Sequence, residues 1–245
     1  KFAIAVANGS LALTAAYMSL KLPKGSEIIT SPRTFIATSS TAVLLNLKTI
    51  FADVDYDSGN ITAKSIEKLI TEKTKAIAVV HIAGWPADMN SICNLAKKYN
   101  LKILEDCSQA HGAIIKGKSV GSFGDVATWS FCQDKIISTG GEGGMITTNS
   151  KEIFDYISAI KNHGKTKEAF LRNKNKIGFK WLHDHMGNNF RLTEMQSQIG
   201  LIQLKKIKEW SKLRRRNAQI LIDTLKTLEI VRIPLPQKDI QHAYY

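Results

Sequence analysis

An alternation of two periodicities narrows the fold of this chain more than any other feature. Short apolar, β-branched runs at residues 2–6, 27–30, 49–54, 76–82 and 102–106 are interleaved with helical patterns at 11–20, 36–47, 65–70 and 90–99. Strands separated by helices predict parallel pairing through right-handed crossovers, hence an α/β fold. After residue 106 the rhythm changes. Residues 126–132 and 145–148 read as strands with only the loop Thr139-Gly140-Gly141-Glu142-Gly143-Gly144 and its approach between them. A helix at 152–162, a polar stretch at 164–189 and long helical sequence at 193–228 follow, the last with an approximate apolar stripe through Met195, Ile199, Ile202, Ile207, Trp210 and Leu213. Residues 230–233 read as one more strand.

A chain of 245 residues with 44% hydrophobic and 22% charged residues builds a sizeable core. The formal charge of +13 is local: residues 161–216 hold 15 of the 34 basic side chains and 4 of the 21 acidic ones. Such a run raises a nucleic-acid reading, but it lacks aromatic interleaving or a recognition motif. Three cysteines without C-x-x-C spacing argue against a disulfide framework or a cysteine-rich zinc site and fit a reducing cytoplasm. Residues 2–20 carry no charge, yet Asn8-Gly9-Ser10 breaks them with a turn, so neither a signal peptide nor a spanning helix is expected.

Gly112, Gly117, Lys118 and Ser119 fit the phosphate-loop pattern G-x-x-x-x-G-K-[ST]. A phosphate loop must follow a strand and open a helix. Val-Gly-Ser-Phe-Gly-Asp after Ser119 opens no helix, so a β-turn at Lys116-Gly117-Lys118 is expected, not a nucleotidase built on Lys118. His183 and His185 lack accompanying ligands and read as a solvated loop, and no metal is expected. His81 and His111 read as residues that orient loops.

A stronger constellation surrounds that pattern. Glu105-Asp106-Cys107-Ser108-Gln109-Ala110-His111-Gly112 starts at the carboxyl end of an apolar strand, where open α/β sheets bind ligands. Ser130-Phe131-Cys132-Gln133-Asp134-Lys135 leaves the next strand, and the glycine loop follows. A carboxylate, a lysine and a glycine-rich return suggest a cofactor needing an anionic partner and a covalent amine. With A-N-G-S-L-A-L at 7–13 and G-N-N-F-R-L-T-E at 187–194, these motifs resemble the DegT/StrS-type nucleotide-sugar aminotransferases, fold-type-I pyridoxal 5'-phosphate (PLP) enzymes that include the perosamine synthases. Motif order and spacing cover nearly the whole chain.

The resemblance implies the large domain of the PLP-dependent transferase fold, a mostly parallel sheet flanked by helices, over residues 1–229. Residues 230–245 would begin a small C-terminal domain that is largely absent, as is an N-terminal arm. Lys135 would bond covalently to PLP and later shuttle a proton, and Asp106 would pair with the pyridine nitrogen. Gln109 would sit at the cofactor's face or O3′ side. Gly9, Ser10 and Leu11, at a strand-to-helix junction, would bind its phosphate with Ser130. Asn189 would reach the phosphate of the neighbouring subunit, making the active unit a homodimer, and Phe35 would pack over the ring. His163 matches a His-Gly pair near the substrate. The implied reaction moves an amino group, from glutamate, to a keto sugar on a nucleotide diphosphate, in surface-polysaccharide or glycan sugar biosynthesis. Relatives with His in place of the lysine dehydrate sugars instead, which Lys135 argues against. Asn188 departs from the aromatic common at its position.

Overall fold

The computed structural model describes residues 1–173 and 183–245. Its centre is a seven-stranded sheet of β1 (Phe2–Val6), β2 (Glu27–Thr30), β3 (Lys48–Phe51), β4 (Thr74–Val80), β5 (Lys102–Asp106), β8 (Val126–Ser130) and β9 (Gly144–Thr148), in the order β1-β9-β8-β5-β4-β2-β3. The pairs from β8 through β3 are parallel, whereas β9 runs antiparallel to both β8 and β1. The expected parallel pairing therefore holds except at β9. Its connection from β8 contains no helix to carry the chain back over a face, so the chain turns at the sheet's carboxyl edge and returns.

Alternation along each strand sorts side chains into two cores. Ile28, Ala76, Ala78, Leu104 and Val126 face α1 (Gly9–Ser19), α2 (Ala37–Leu44) and α5 (Lys151–Ile160). Ile29, Ile77, Val79, Ile103 and Ala127 face α3 (Ala63–Glu67), α4 (Met89–Lys98) and Ile207 of α7 (Glu194–Leu225). The result is three layers, with α6 (Lys167–Asn173) outside them. Asn8 caps α1 by accepting the Leu11 N–H at 2.8 Å, and Thr193 opens α7 with a capping box on Gln196.

The phosphate-loop look-alike is a hairpin. Strands β6 (Ile114–Ile115) and β7 (Lys118–Ser119) pair antiparallel across Lys116 and Gly117, both with positive φ, the geometry of a two-residue hairpin turn. The hairpin also receives β10 (Ile240–Gln241), a pairing invisible to local patterning. Residues 230–233 form no strand: Pro234 and Pro236 remove ladder donors and the run stays irregular. The α7 stripe is only partly buried, since Ile207 packs on the core while Met195 is 79% exposed and Ile199, Ile202 and Leu213 also face outward. No helix among the described residues is long and apolar enough to cross a membrane.

Candidate active site

Because β1, β8, β5 and β4 run in one direction, their carboxyl ends share one edge, and the loops leaving them enclose a cavity of about 440 Å³. Asn8, Gly9, Ser10, Phe35, Thr38, Asp106, Gln109, Ser130 and Lys135 line it. Seven predicted residues, Gly9, Ser10, Phe35, Asp106, Gln109, Ser130 and Lys135, thus meet at one site although up to 126 positions separate them.

Asp106 ends β5 and is 5% exposed. Thr38 Oγ1 donates to its Oδ2 at 2.8 Å and the Ser108 N–H to its Oδ1 at 3.1 Å. Thr38 is itself anchored, for its carbonyl accepts the buried Tyr17 hydroxyl at 2.8 Å and its Oγ1 lies 2.9 Å from Thr34 Oγ1. Burial, and then the Asp106 charge, push the Tyr17 hydroxyl far above its ordinary range, so it stays a neutral donor. Thr38 was missed by sequence reasoning, although Thr34 and Thr38 stand one helical turn apart around Phe35. Phe35 is 68% exposed at the cavity rim and contributes nothing to the core.

Across the cavity, the first turn of α1 presents a free helix N-terminus. The Gly9 and Ser10 N–H groups have no partner among the described residues, and the helix dipole adds positive potential. The Leu11 N–H, expected to join them, is instead occupied by the Asn8 side chain. Ser130, from the end of β8, packs so closely that a Cβ on Gly9 would lie 2.7 Å from Ser130 Cβ. Only glycine permits that approach.

Lys135 stands opposite, its side chain 12% exposed. Its Nζ donates to the Tyr245 hydroxyl at 2.7 Å and lies 3.6 Å from Asp134 Oδ2. Burial acts to lower the amine's proton affinity, but the Tyr245 hydrogen bond and the Asp134 charge outweigh it and raise the pKa. Gln109 Oε1 accepts the Ala83 N–H at 2.7 Å, clamping a turn in which Ala83 has φ +52°. A half-buried cation-forming amine, a buried carboxylate and unpaired amides at a helix N-terminus can together hold an anionic, basic-nitrogen aromatic and react with it covalently.

Asn189 and His163 are not brought to this cavity. Both are exposed in a surface segment where Asn189 bridges Asn162 and the His163 N–H donates to the Asn188 carbonyl. His183 and His185 do not converge on a metal, since His183 Nδ1 lies 2.6 Å from the His163 carbonyl and the His185 ring packs on Tyr156. Among the described residues His81, Glu105 and Cys107 do cluster, but His81 Nδ1 accepts from Ala87 N–H and Glu105 accepts from His81, Gly121, Phe123 and Gly124, so the set braces loops as expected for His81. Lys118 lies over the Phe123 ring, and the lysines of α7 face solvent.

Known proteins are similar to this chain in sequence and in fold. GDP-perosamine synthase of Escherichia coli O157:H7 is 36% identical over 245 residues, covering 100% of this chain and 64% of that protein. The solved structure of an aminotransferase from Psychrobacter cryohalolentis superposes with a TM-score of 0.96 at 47% identity, over 100% of this chain and 64% of that one. An E. coli GDP-4-keto-6-deoxy-D-mannose-3-dehydratase with bound hydrated PLP gives a TM-score of 0.88 at 28% identity, over 100% and 65%. The chain thus spans just under two thirds of the relatives it matches. The sequence pattern of the DegT/DnrJ/EryC1/StrS aminotransferases matches residues 1–245, and the chain belongs to that family.

Proposed function

We propose that the cavity holds PLP and that the full-length protein transfers an amino group, donated by glutamate, to a keto sugar carried on a nucleotide diphosphate. The observation that carries this reading is the meeting of the Lys135 amine, the buried Asp106 carboxylate and the free Gly9–Ser10 amides in one 440 Å³ cavity. The residues present fit the group: the Gly9–Ser130 approach leaves a cradle without side chains at the helix end, and the Asp106 carboxylate is buried and held by two donors.

When bound, PLP supplies a ring that withdraws electrons from the substrate carbon. Asp106, held by Thr38 and Ser108, favours the protonated form of a ring nitrogen beside it. Lys135 provides the amine for covalent attachment and, once displaced, a base that moves a proton at the reacting carbon. The amides of Gly9 and Ser10, with the Ser130 hydroxyl, take the phosphate. Gln109 has its amide oxygen engaged by Ala83, which leaves its NH₂ for the O3′ side, and Phe35 shields the ring face from water. Asn189, exposed away from its own cavity, serves the phosphate of the partner's site in a homodimer, with His163 beside it meeting substrate. The three free cysteines suit a reducing cytoplasm.

The test is direct. Full-length protein mixed with PLP should show a visible absorbance band that borohydride abolishes; Lys135→Ala should lack it and Lys118→Ala keep it. A folded protein that stays colourless would overturn the reading. A panel of UDP-, GDP- and dTDP-linked keto sugars assayed with glutamate then identifies the acceptor.

A further inference from the structure

Lys135 is held in a cage that the proposed chemistry leaves without a role. Its Nζ donates to the Tyr245 hydroxyl at 2.7 Å, and that hydroxyl donates to Asp134 Oδ2 at 2.9 Å. The same oxygen lies 3.6 Å from Nζ, closing a triangle. Asp134 Oδ1 accepts the Cys132 thiol at 2.7 Å, which fixes the carboxylate from its other side. The Tyr245 ring also lies under the ammonium, with Nζ 4.5 Å from its centroid, a cation–π contact.

Tyr245 is presented by a braced backbone. Its N–H donates to the Ala83 carbonyl at 3.0 Å, and the Ala243 N–H donates to Gly84 at 2.9 Å. The Ala83 turn is the one clamped by Gln109, and Arg214 Nε of α7 donates to the Tyr244 carbonyl at 3.0 Å. Segments remote in sequence thus converge on one amine. An unrestrained lysine carries its strongly hydrated head on four flexible carbons and would hold no fixed aim.

We infer that Asp134 and Tyr245 are positioning residues for Lys135: they hold its ammonium at the cavity wall whenever it is not covalently engaged, and loosening either contact makes the amine more available to react. This rests on the reading of Lys135 as the attachment amine. The groups facing Lys135 are Asp134 and Cys132 from its own loop, Tyr245 from the chain after α7, Asp106 and Glu142 across the cavity, and His111 behind it. Asp134 remains ionised throughout the useful range, for the Cys132 and Tyr245 hydrogen bonds hold it down at about 2.

The test compares wild-type full-length protein, freed of cofactor, with Asp134→Asn, Tyr245→Phe and Asp134→Glu. Trace reductive methylation across a pH series, read at Lys135 by peptide mass spectrometry, reports the free amine without any turnover. Where the wild-type amine is mostly protonated, Asp134→Asn and Tyr245→Phe should be modified roughly three- to fivefold faster, the size expected of a partly exposed ion pair. Asp134→Glu should return the profile toward wild type, and Lys151 should serve as an unmoved internal standard. In the same samples, borohydride-fixed PLP should attach at lower pH in the two fast variants. Unchanged Lys135 profiles in both, with wild type still fixing PLP on Lys135, overturn this inference alone. Failure to fix PLP on Lys135 in wild type overturns the functional reading beneath it as well.

Discussion

Substituting Gly9 by Ala tests the geometry of the anion cradle by adding one carbon. The new Cβ would sit 2.7 Å from Ser130 Cβ and 3.0 Å from Ser130 Oγ. Carbon atoms rest at about 3.5–4.0 Å, so α1 and β8 must part by about 1 Å. The obstructing Cβ is fixed to the backbone of a buried strand and cannot swing aside. Overpacking of this kind costs about 1–3 kcal/mol, offset by about 0.4–1 kcal/mol from the lower chain entropy of Ala in the unfolded state. The expected net loss is about 1.5 kcal/mol, or roughly 3–6 °C in Tm for a chain of this size. The same displacement moves the Gly9 and Ser10 amides, so PLP affinity should fall about tenfold or more. Urea melts and a spectral PLP titration read the two effects separately. Ser130→Gly removes the opposing carbon, so a double-mutant cycle should show a coupling of about 1 kcal/mol or more. Additive effects, or a Gly9→Ala protein of wild-type stability and affinity, would refute the steric account.

Other changes have equally defined outcomes. Thr38→Val keeps shape but removes the donor to Asp106; the loss of a hydrogen bond to a charged group, about 1.5–3 kcal/mol, should weaken PLP binding about tenfold or more in equilibrium titration, with Tm changed far less. Glu105→Gln turns an amide NH₂ toward donors on whichever oxygen it replaces, since each carboxylate oxygen already accepts two N–H groups; a loss of about 3 kcal/mol in urea unfolding is expected. His111 is buried between Trp129 and Phe131, and burial, then the Lys135 charge, lower its pKa to about 3. The unfolded chain protonates it near 6.5, so its contribution is whole above that pH and is lost as pH falls from 6.5 toward 3. His111→Phe should therefore narrow the stability difference between pH 7 and pH 5, and an unchanged difference would refute the assignment.

Much of the cofactor-facing edge was legible because its residues sit at strand ends. Asp106 closes an apolar run and Lys135 follows the next one, so the sheet itself gathers them. The same logic identified Lys116–Gly117 as a turn, since nothing after Ser119 favours a helix. Partners chosen by packing were not legible. Tyr245 reaches Lys135 across 110 positions, and no periodicity marks it. The Leu11 amide was misjudged because an Asn at the cap position competes for it, a side-chain choice that a motif alone does not weigh. The reversed β9 was half visible: the sequence lacks a helix before it, but its placement beside β1 depends on which edge stays open after the other strands have paired. The α7 stripe misled because helical period reports amphipathicity and leaves open which part of a long helix is covered.

The strand order also constrains how the chain is made. Within the central sheet β1 pairs with β9 and no other strand, Val6 matching Gly144, so β1 lacks its sheet partner for 138 residues of synthesis. At about 5–20 residues per second that is a wait of roughly 7–28 s. During it the rest of the sheet can assemble locally, while Phe2, Ile4 and Val6 remain uncovered and open to chaperones or to wrong pairings. Closure of the helix end that carries Gly9 and Ser10 against Ser130 thus waits until β9 has emerged, and the anion cradle forms after the strands between β1 and β9 have been made.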